Sequence, residues 1–177
     1  MKRREILGAA LLLTPLFRPI PGLAQTCGVI TPRQTEGPFF TPNSPKRISL
    51  LEGGEKSRLL VTGVVLSAQC KPVPNALLDF WHSDEEGAYD NRGLRYRGHQ
   101  HADSQGRYRL ETIVPAEYPG RTRHIHVKVQ APGKHILTTQ LYFPGDPGNK
   151  RDWIYRPELE MKRLKAGETS FDFIVEA

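Results

Sequence analysis

Turn signals break this chain so often that no stretch between them sustains the apolar period of a long helix. Asp103-Ser104-Gln105-Gly106, Pro132-Gly133 and Pro144-Gly145-Asp146-Pro147-Gly148 are three such breaks, and Pro72 with Pro74 marks a fourth. The runs between them are short and rich in Leu, Val, Ile, Thr and aromatic residues, which predicts strands over residues 59–66, 76–81, 107–113, 124–130, 137–143 and 170–175. Short strands at this spacing argue an all-β protein, specifically an antiparallel β-sandwich with little helix. The one helix predicted, residues 157–164, is short. Ahead of the strands, Pro32, Pro38, Pro42, Pro45, Gly37, Gly53 and Gly54 leave residues 25–57 as an extended arm, and residues 58–177 form one sandwich domain.

The first residues have a different character. Lys2, Arg3 and Arg4 precede the apolar run 6–17, with small residues Gly22 and Ala24 downstream. A membrane-spanning helix needs about 20 apolar residues, and this run is shorter, contains Pro15 and stops at Arg18. Residues 1–24 therefore read as an export signal. Arg3-Arg4 followed by Glu5-Ile6-Leu7 gives it the look of a twin-arginine signal, which passes already folded proteins to the periplasm or the exterior.

Removing that leader lowers the formal charge from +6 to +3, with 21 basic and 18 acidic residues left. The charges are interspersed, so nucleic acid is not an expected partner, nor is a membrane once the leader is gone. An exported chain meets an oxidising compartment, and its two cysteines, Cys27 and Cys70, are expected to pair. Closing that loop contributes up to about 4 kcal/mol in the chain-entropy treatment.

Chemistry-bearing residues concentrate in PAEYPGRTRHIHVKV, residues 115–129. Alternate side chains of a strand share a face, so His124 and His126 project together while Ile125 points into the core. Two imidazoles on one face are a ready pair of metal ligands. The same pattern also arises where one histidine packs and the other is solvated, or where both lie on a polar sheet face. Tyr118, six residues before His124, adds a hard oxygen donor once a strong cation removes its proton. Tyr89, closing WHSDEEGAYD at the end of a strand, occupies a rim loop of the kind that carries functional groups. A second His-x-His, His99-Gln100-His101, reads as a solvated loop, with an accessory metal or a substrate contact as the alternative, and His135 reads as a surface residue.

The order of several strings carries a resemblance. TEGPFF (35–40), the run 63–81 ending in NALLDFW, DEEGAY (84–89), DSQGRY (103–108), TIVPAEY (112–118), R-x-x-H-I-H (121–126) and TQLYFPGD (139–146) together resemble the intradiol ring-cleavage dioxygenases, in particular the catalytic chain of protocatechuate 3,4-dioxygenase. The resemblance runs from Thr35 to about Asp146. It implies a prealbumin-like sandwich and a non-haem Fe(3+) centre with no organic cofactor. The ligands it implies are Tyr89, which stays bound, Tyr118, which leaves when substrate arrives, and His124 and His126. Arg121 matches the family's active-site arginine, and Gln140 a glutamine near the substrate; Arg123 has no such counterpart and reads as a rim or substrate charge.

The activity so implied is insertion of both atoms of O2 into a catechol-type ring between its two hydroxyls, giving a cis,cis-muconate-type diacid. Only Pro119 and Gly120 separate Tyr118 from Arg121, where relatives carry a longer, tryptophan-containing stretch. The chain also has no room for the helical amino-terminal domain of catechol 1,2-dioxygenases, so a homo-oligomer, compatible with the sequence, would assemble through other surfaces. Two rival readings keep the sandwich: a prealbumin-like binding module without chemistry, and a zinc or copper protein using His124, His126 and the His99–His101 pair. Colour separates the metals, because tyrosinate on ferric iron is wine-red and a zinc protein is colourless.

Overall fold

The computed structural model describes residues 28–177. The leader expected over 1–24 and the cysteine expected to pair with Cys70, Cys27, lie outside the described residues. Cys70 itself is disulfide-bonded. Among the described residues no helix is long and apolar enough to cross a membrane.

Among the described residues nine strands form two sheets. In chain order they are β1 (Leu59–Ser67), β2 (Leu77–Trp81), β3 (Arg97–His101), β4 (Arg107–Thr112), β5 (His124–Gln130), β6 (Leu137–Tyr142), β7 (Lys162–Lys165), β8 (Glu168–Ser170) and β9 (Phe173–Val175). The first sheet runs β4-β1-β8-β7, with β9 also on β1. The second runs β3-β2-β5-β6 and is antiparallel throughout. Alternation places Val61 and Val65 of β1, Leu78 and Phe80 of β2, and Ile125, Val127 and Val129 of β5 in one core between the sheets. This is the sandwich expected from the turn spacing.

Three expectations need correction. The segment read as a helix over 157–164 is a single 3-10 turn, Pro157–Leu159, followed by strand β7. Its residues are good helix formers, but β7 pairs with β8 and leaves all four side chains exposed. The single strand expected over 170–175 is two, because Asp172 Oδ1 accepts Val64 N at 2.9 Å where a strand neighbour would otherwise stand. At that break Gly63 is required, since a Cβ would lie 1.8 Å from Phe171 O. His99-Gln100-His101, read as loop, belongs to β3, a strand poor in β-branched residues that pairing with β2 on one side and the arm on the other holds extended.

The arm is not free. Gln34 N donates to Thr138 O of β6, Arg47 N to His99 O of β3 and Leu50 N to Glu111 O of β4. It therefore caps edge strands that would otherwise present unpaired backbone groups. In crossing from one edge to another it passes over the outer face of the second sheet. That face, which on an isolated sandwich would meet water, is buried at His124, His126, Trp81, Arg97 and Gln140.

Candidate metal centre

Strand register fixes which side chains meet on this covered face. Residues directly opposite share a face, so Arg97, Trp81, His126 and Gln140 form one row across β3, β2, β5 and β6. His124 and Tyr142 form the next row towards the rim. The two tyrosines come from loops beyond the strand ends. Tyr89 closes a loop whose Asp84 carboxylate accepts Glu86 N and Ala88 N at 3.0 and 2.8 Å. Gly87 in that loop has φ +85, and a Cβ there would stand 2.6 Å from Glu117 O, so a glycine is what lets the Tyr89 and Tyr118 loops touch. Tyr118 opens a turn through Pro119 and Gly120, φ +82, closed by Arg121 N donating to Tyr118 O at 2.9 Å.

The four side chains expected to converge do so in a closed circuit. Ring centroids are 5.8 Å apart for Tyr89 and Tyr118, 5.7 Å for Tyr118 and His124, 4.6 Å for His124 and His126, and 6.1 Å for His126 and Tyr89. The two histidine Nε2 atoms face each other at 3.0 Å. His124 Nδ1 donates to Thr122 O at 2.6 Å, which leaves its Nε2 lone pair free. His126 Nδ1 has no partner, and its ring lies almost parallel to Trp81, at 4.8 Å and 8°. The Tyr89 hydroxyl is buried and unpartnered as well.

Electrostatics keep the imidazoles neutral. Burial, reinforced by the nearby Arg121 guanidinium, pulls His124 down to about 3, and burial followed by His124 pulls His126 well below its ordinary value. Burial, then Tyr118, pushes the Tyr89 phenol well up, while Arg121 and Arg97 oppose the shift. In the metal-free cluster His126 Nε2–H donates to His124 Nε2, and His126 Nδ1 and the Tyr89 hydroxyl are left stranded, at about 1–3 kcal/mol each. Nitrogens about 2.0–2.1 Å from one ion on adjacent corners of its coordination sphere stand about 3 Å apart, so the imidazole spacing fits a shared first-row metal. Two phenolates beside two imidazoles are a hard, anionic donor set that suits a trivalent ion.

Arg121 is clamped beside the cluster. Its Nε donates to Asp152 Oδ2 at 2.9 Å, one Nη to Gln140 Oε1 at 2.5 Å and the other to Tyr118 Oη at 3.4 Å. Gln140 is fixed in turn by its Nε2 on Thr35 O and by Tyr142 Oη, at 2.8 and 2.9 Å. Asp152 and Tyr142 were not singled out from the sequence. Tyr142 carried a signal, since it stands two residues after Gln140 on one strand face; Asp152, 31 residues from Arg121, carried none. A cleft of about 330 Å³ opens beside Tyr118 and Arg121, walled by Gly120, Gly148 and Arg151. Arg123 faces outward and pairs with Asp146 at 3.4 Å, as a rim charge would.

The remaining histidines stay apart. His99 and His101 lie on the same sheet face one and two rows further along, opposite Asp79 and Leu77. Among the described residues no group of three or more His, Cys, Asp or Glu is placed to hold a metal, so the His99–His101 pair does not join His124 and His126. His82 is buried, bonded to Ser83 O at 2.7 Å and Thr112 Oγ1 at 2.6 Å. His135 is exposed.

Two tyrosines and two histidines gathered under an amino-terminal arm give this all-β sandwich a candidate metal site, and the fold and site together define its class. A family model described as Dioxygenase matches residues 35–166, and the chain belongs to the intradiol ring-cleavage dioxygenases. Among solved structures, the dioxygenase domain of a dioxygenase carbohydrate-binding protein fusion from the cellulolytic bacterium Streptomyces sp. SirexAA-E is 50% identical. It superposes with a TM-score of 0.81, covering 84% of this chain and 99% of that one. Catechol 1,2-dioxygenase of Acinetobacter baylyi is 30% identical across 71% of this chain and 50% of its own length. Hydroxyquinol 1,2-dioxygenase of Corynebacterium glutamicum is 31% identical across 63% and 45%. The chain thus spans about half the length of these two curated relatives.

Proposed function

We propose that the chain is a non-haem ferric dioxygenase that cleaves a catechol-type ring between its two hydroxyls, incorporating both atoms of O2 into a cis,cis-muconate-type diacid. The observation that carries this reading is the closed circuit of Tyr89, Tyr118, His124 and His126. These four residues would hold the iron, which when bound supplies Lewis acidity and a template for the two catechol oxygens. The names of the relatives, catechol and hydroxyquinol 1,2-dioxygenases, support a catechol-type substrate.

Each side chain then has a task. His124 and His126 are held neutral by burial and offer their Nε2 lone pairs. Tyr118 is half-buried, borders the cleft and has a 3.4 Å contact with Arg121, so it can swing out once its oxygen has taken a proton from the incoming catechol. Asp152 and Gln140 hold the Arg121 guanidinium rigidly where negative charge grows on the ring, a preorganised charge that needs no rearrangement during reaction. Phe39 and Trp81 line the cluster with apolar surface that keeps water from it. The basic and apolar character of residues 1–24 supports a periplasmic or secreted location.

Oxygen uptake by the iron-loaded protein against a panel of catechols tests the proposal. One O2 consumed per ring cleaved, with a muconate-type product, is expected; catechol binding without O2 uptake would leave only a binding module.

A further inference from the structure

Residues 35–40 of the arm lie across the four-ring cluster and are pinned on both sides of Phe39. Thr35 O accepts Gln140 Nε2 at 2.8 Å. Gly37, φ +70, brings the backbone so close that a Cβ there would stand 3.6 Å from His126 Cε1. Phe40 meets Trp81 edge-on at 4.9 Å, and the Lys128 ammonium sits 4.3 Å over the Phe40 ring while pairing with Glu36. Between these anchors Phe39 treats the two tyrosines differently. It lies parallel to Tyr89 at 4.3 Å and 16°, and meets Tyr118 only edge-on, at 6.1 Å and 86°.

We propose that Phe39 is a positioning residue that holds the Tyr89 ring at the metal centre, so that the arm decides which of the two tyrosines stays. Turning Tyr89 outward requires sliding one flat face off another beneath a strap fixed on both sides. Tyr118 can turn outward into the cleft without disturbing Phe39 stacking. The asymmetry between a retained and a departing tyrosine is thereby built into aromatic packing, since the hydroxyl of Tyr89 has no hydrogen-bond partner to fix it. The inference goes beyond the proposed function and rests on its reading of the cluster as a ferric site.

The test uses the iron-loaded protein in two backgrounds, reading the visible tyrosinate-to-iron band and the rate of iron loss to a chelator. In Tyr118→Phe the band reports Tyr89 alone, and in Tyr89→Phe it reports Tyr118 alone. Adding Phe39→Ala to Tyr118→Phe is expected to weaken the band severalfold and speed iron loss on the order of tenfold, the scale of a lost aromatic contact. Adding it to Tyr89→Phe leaves the band close to its starting intensity, and Phe39→Tyr restores both readouts in the Tyr118→Phe background. Should the alanine variant fail to fold, Phe39→Leu, which keeps apolar bulk without the flat face, gives the same direction. An unchanged Tyr89 band, or equal loss in both backgrounds, overturns the proposal while the ferric reading survives. A wild-type chain that takes up no ferric iron and shows no band overturns both.

Discussion

The second sheet carries the same motif twice on one face, with opposite results. His124-Ile125-His126 on β5 and His99-Gln100-His101 on β3 each place two imidazoles two residues apart on a strand. On β5 the rings close to 4.6 Å with both Nε2 atoms facing, and both side chains are buried. On β3 they stand 6.2 Å apart, His101 is exposed, and His99 Nδ1 lies 2.8 Å from Ser44 O. The spacing is equal, so spacing does not make a site. What differs is the row: β5 is a central strand whose rim end is flanked by Trp81, Gln140 and two tyrosine loops. β3 is an edge strand whose histidines face Asp79, Leu77 and the arm.

Substituting one member of each pair breaks the comparison most sharply. His126→Ala is expected to abolish ferric binding, an effect larger than the roughly 10–100-fold typical of outer-shell changes, and His101→Ala to leave iron content unchanged. Iron analysis after gel filtration reads both. Equal loss in the two variants would remove the distinction between the pairs. Next in size, Tyr118→Phe is expected to keep iron but to lose the oxygen proposed to take the substrate's proton, so that kcat falls roughly 10²–10⁴-fold in an oxygen-electrode assay.

Asp152→Asn strips the buried partner from Arg121 and lowers stability by about 3–5 kcal/mol in denaturant melts. Acid sharpens the comparison more gently. Burial pulls His82 down to about 4 from 6.5, so below 6.5 the unfolded chain binds the proton first. The stability this contributes is complete above 6.5 and fades as pH drops towards 4, by up to about 3 kcal/mol, with His124 acting in the same direction in metal-free protein. Melts of the metal-free protein between neutral pH and 4 read this slope. His101→Ala changes stability by no more than about 0.5 kcal/mol.

Much of this was legible in the string because strands with strict alternation announce both their period and their faces. β5 begins and ends where expected, and Ile125, Val127 and Val129 turn inward opposite His124 and His126. The convergence of Tyr89, Tyr118, His124 and His126 was legible only through the order of their motifs, since nothing local tells Tyr89 that its loop will meet Tyr118. Elements that depend on a partner were not legible. β7 carries helix formers and became a strand because β8 offered it an edge, and β3 has no β-branched residue to mark it. Asp152 is an ordinary acid until the fold brings it to Arg121. The outer face of the second sheet reads as polar, and only the arm crossing it turns that face into an interior.

Tyr89, Tyr118, His124 and His126 are proposed to hold one ferric ion between them. Titrating the metal-free protein with ferric iron while following visible absorbance tests this directly. A wine-red band is expected that saturates at about one iron per chain, weakens in Tyr89→Phe and in Tyr118→Phe, and vanishes when both tyrosines are replaced. A colourless complex, or an undiminished band in the double variant, would contradict this assignment.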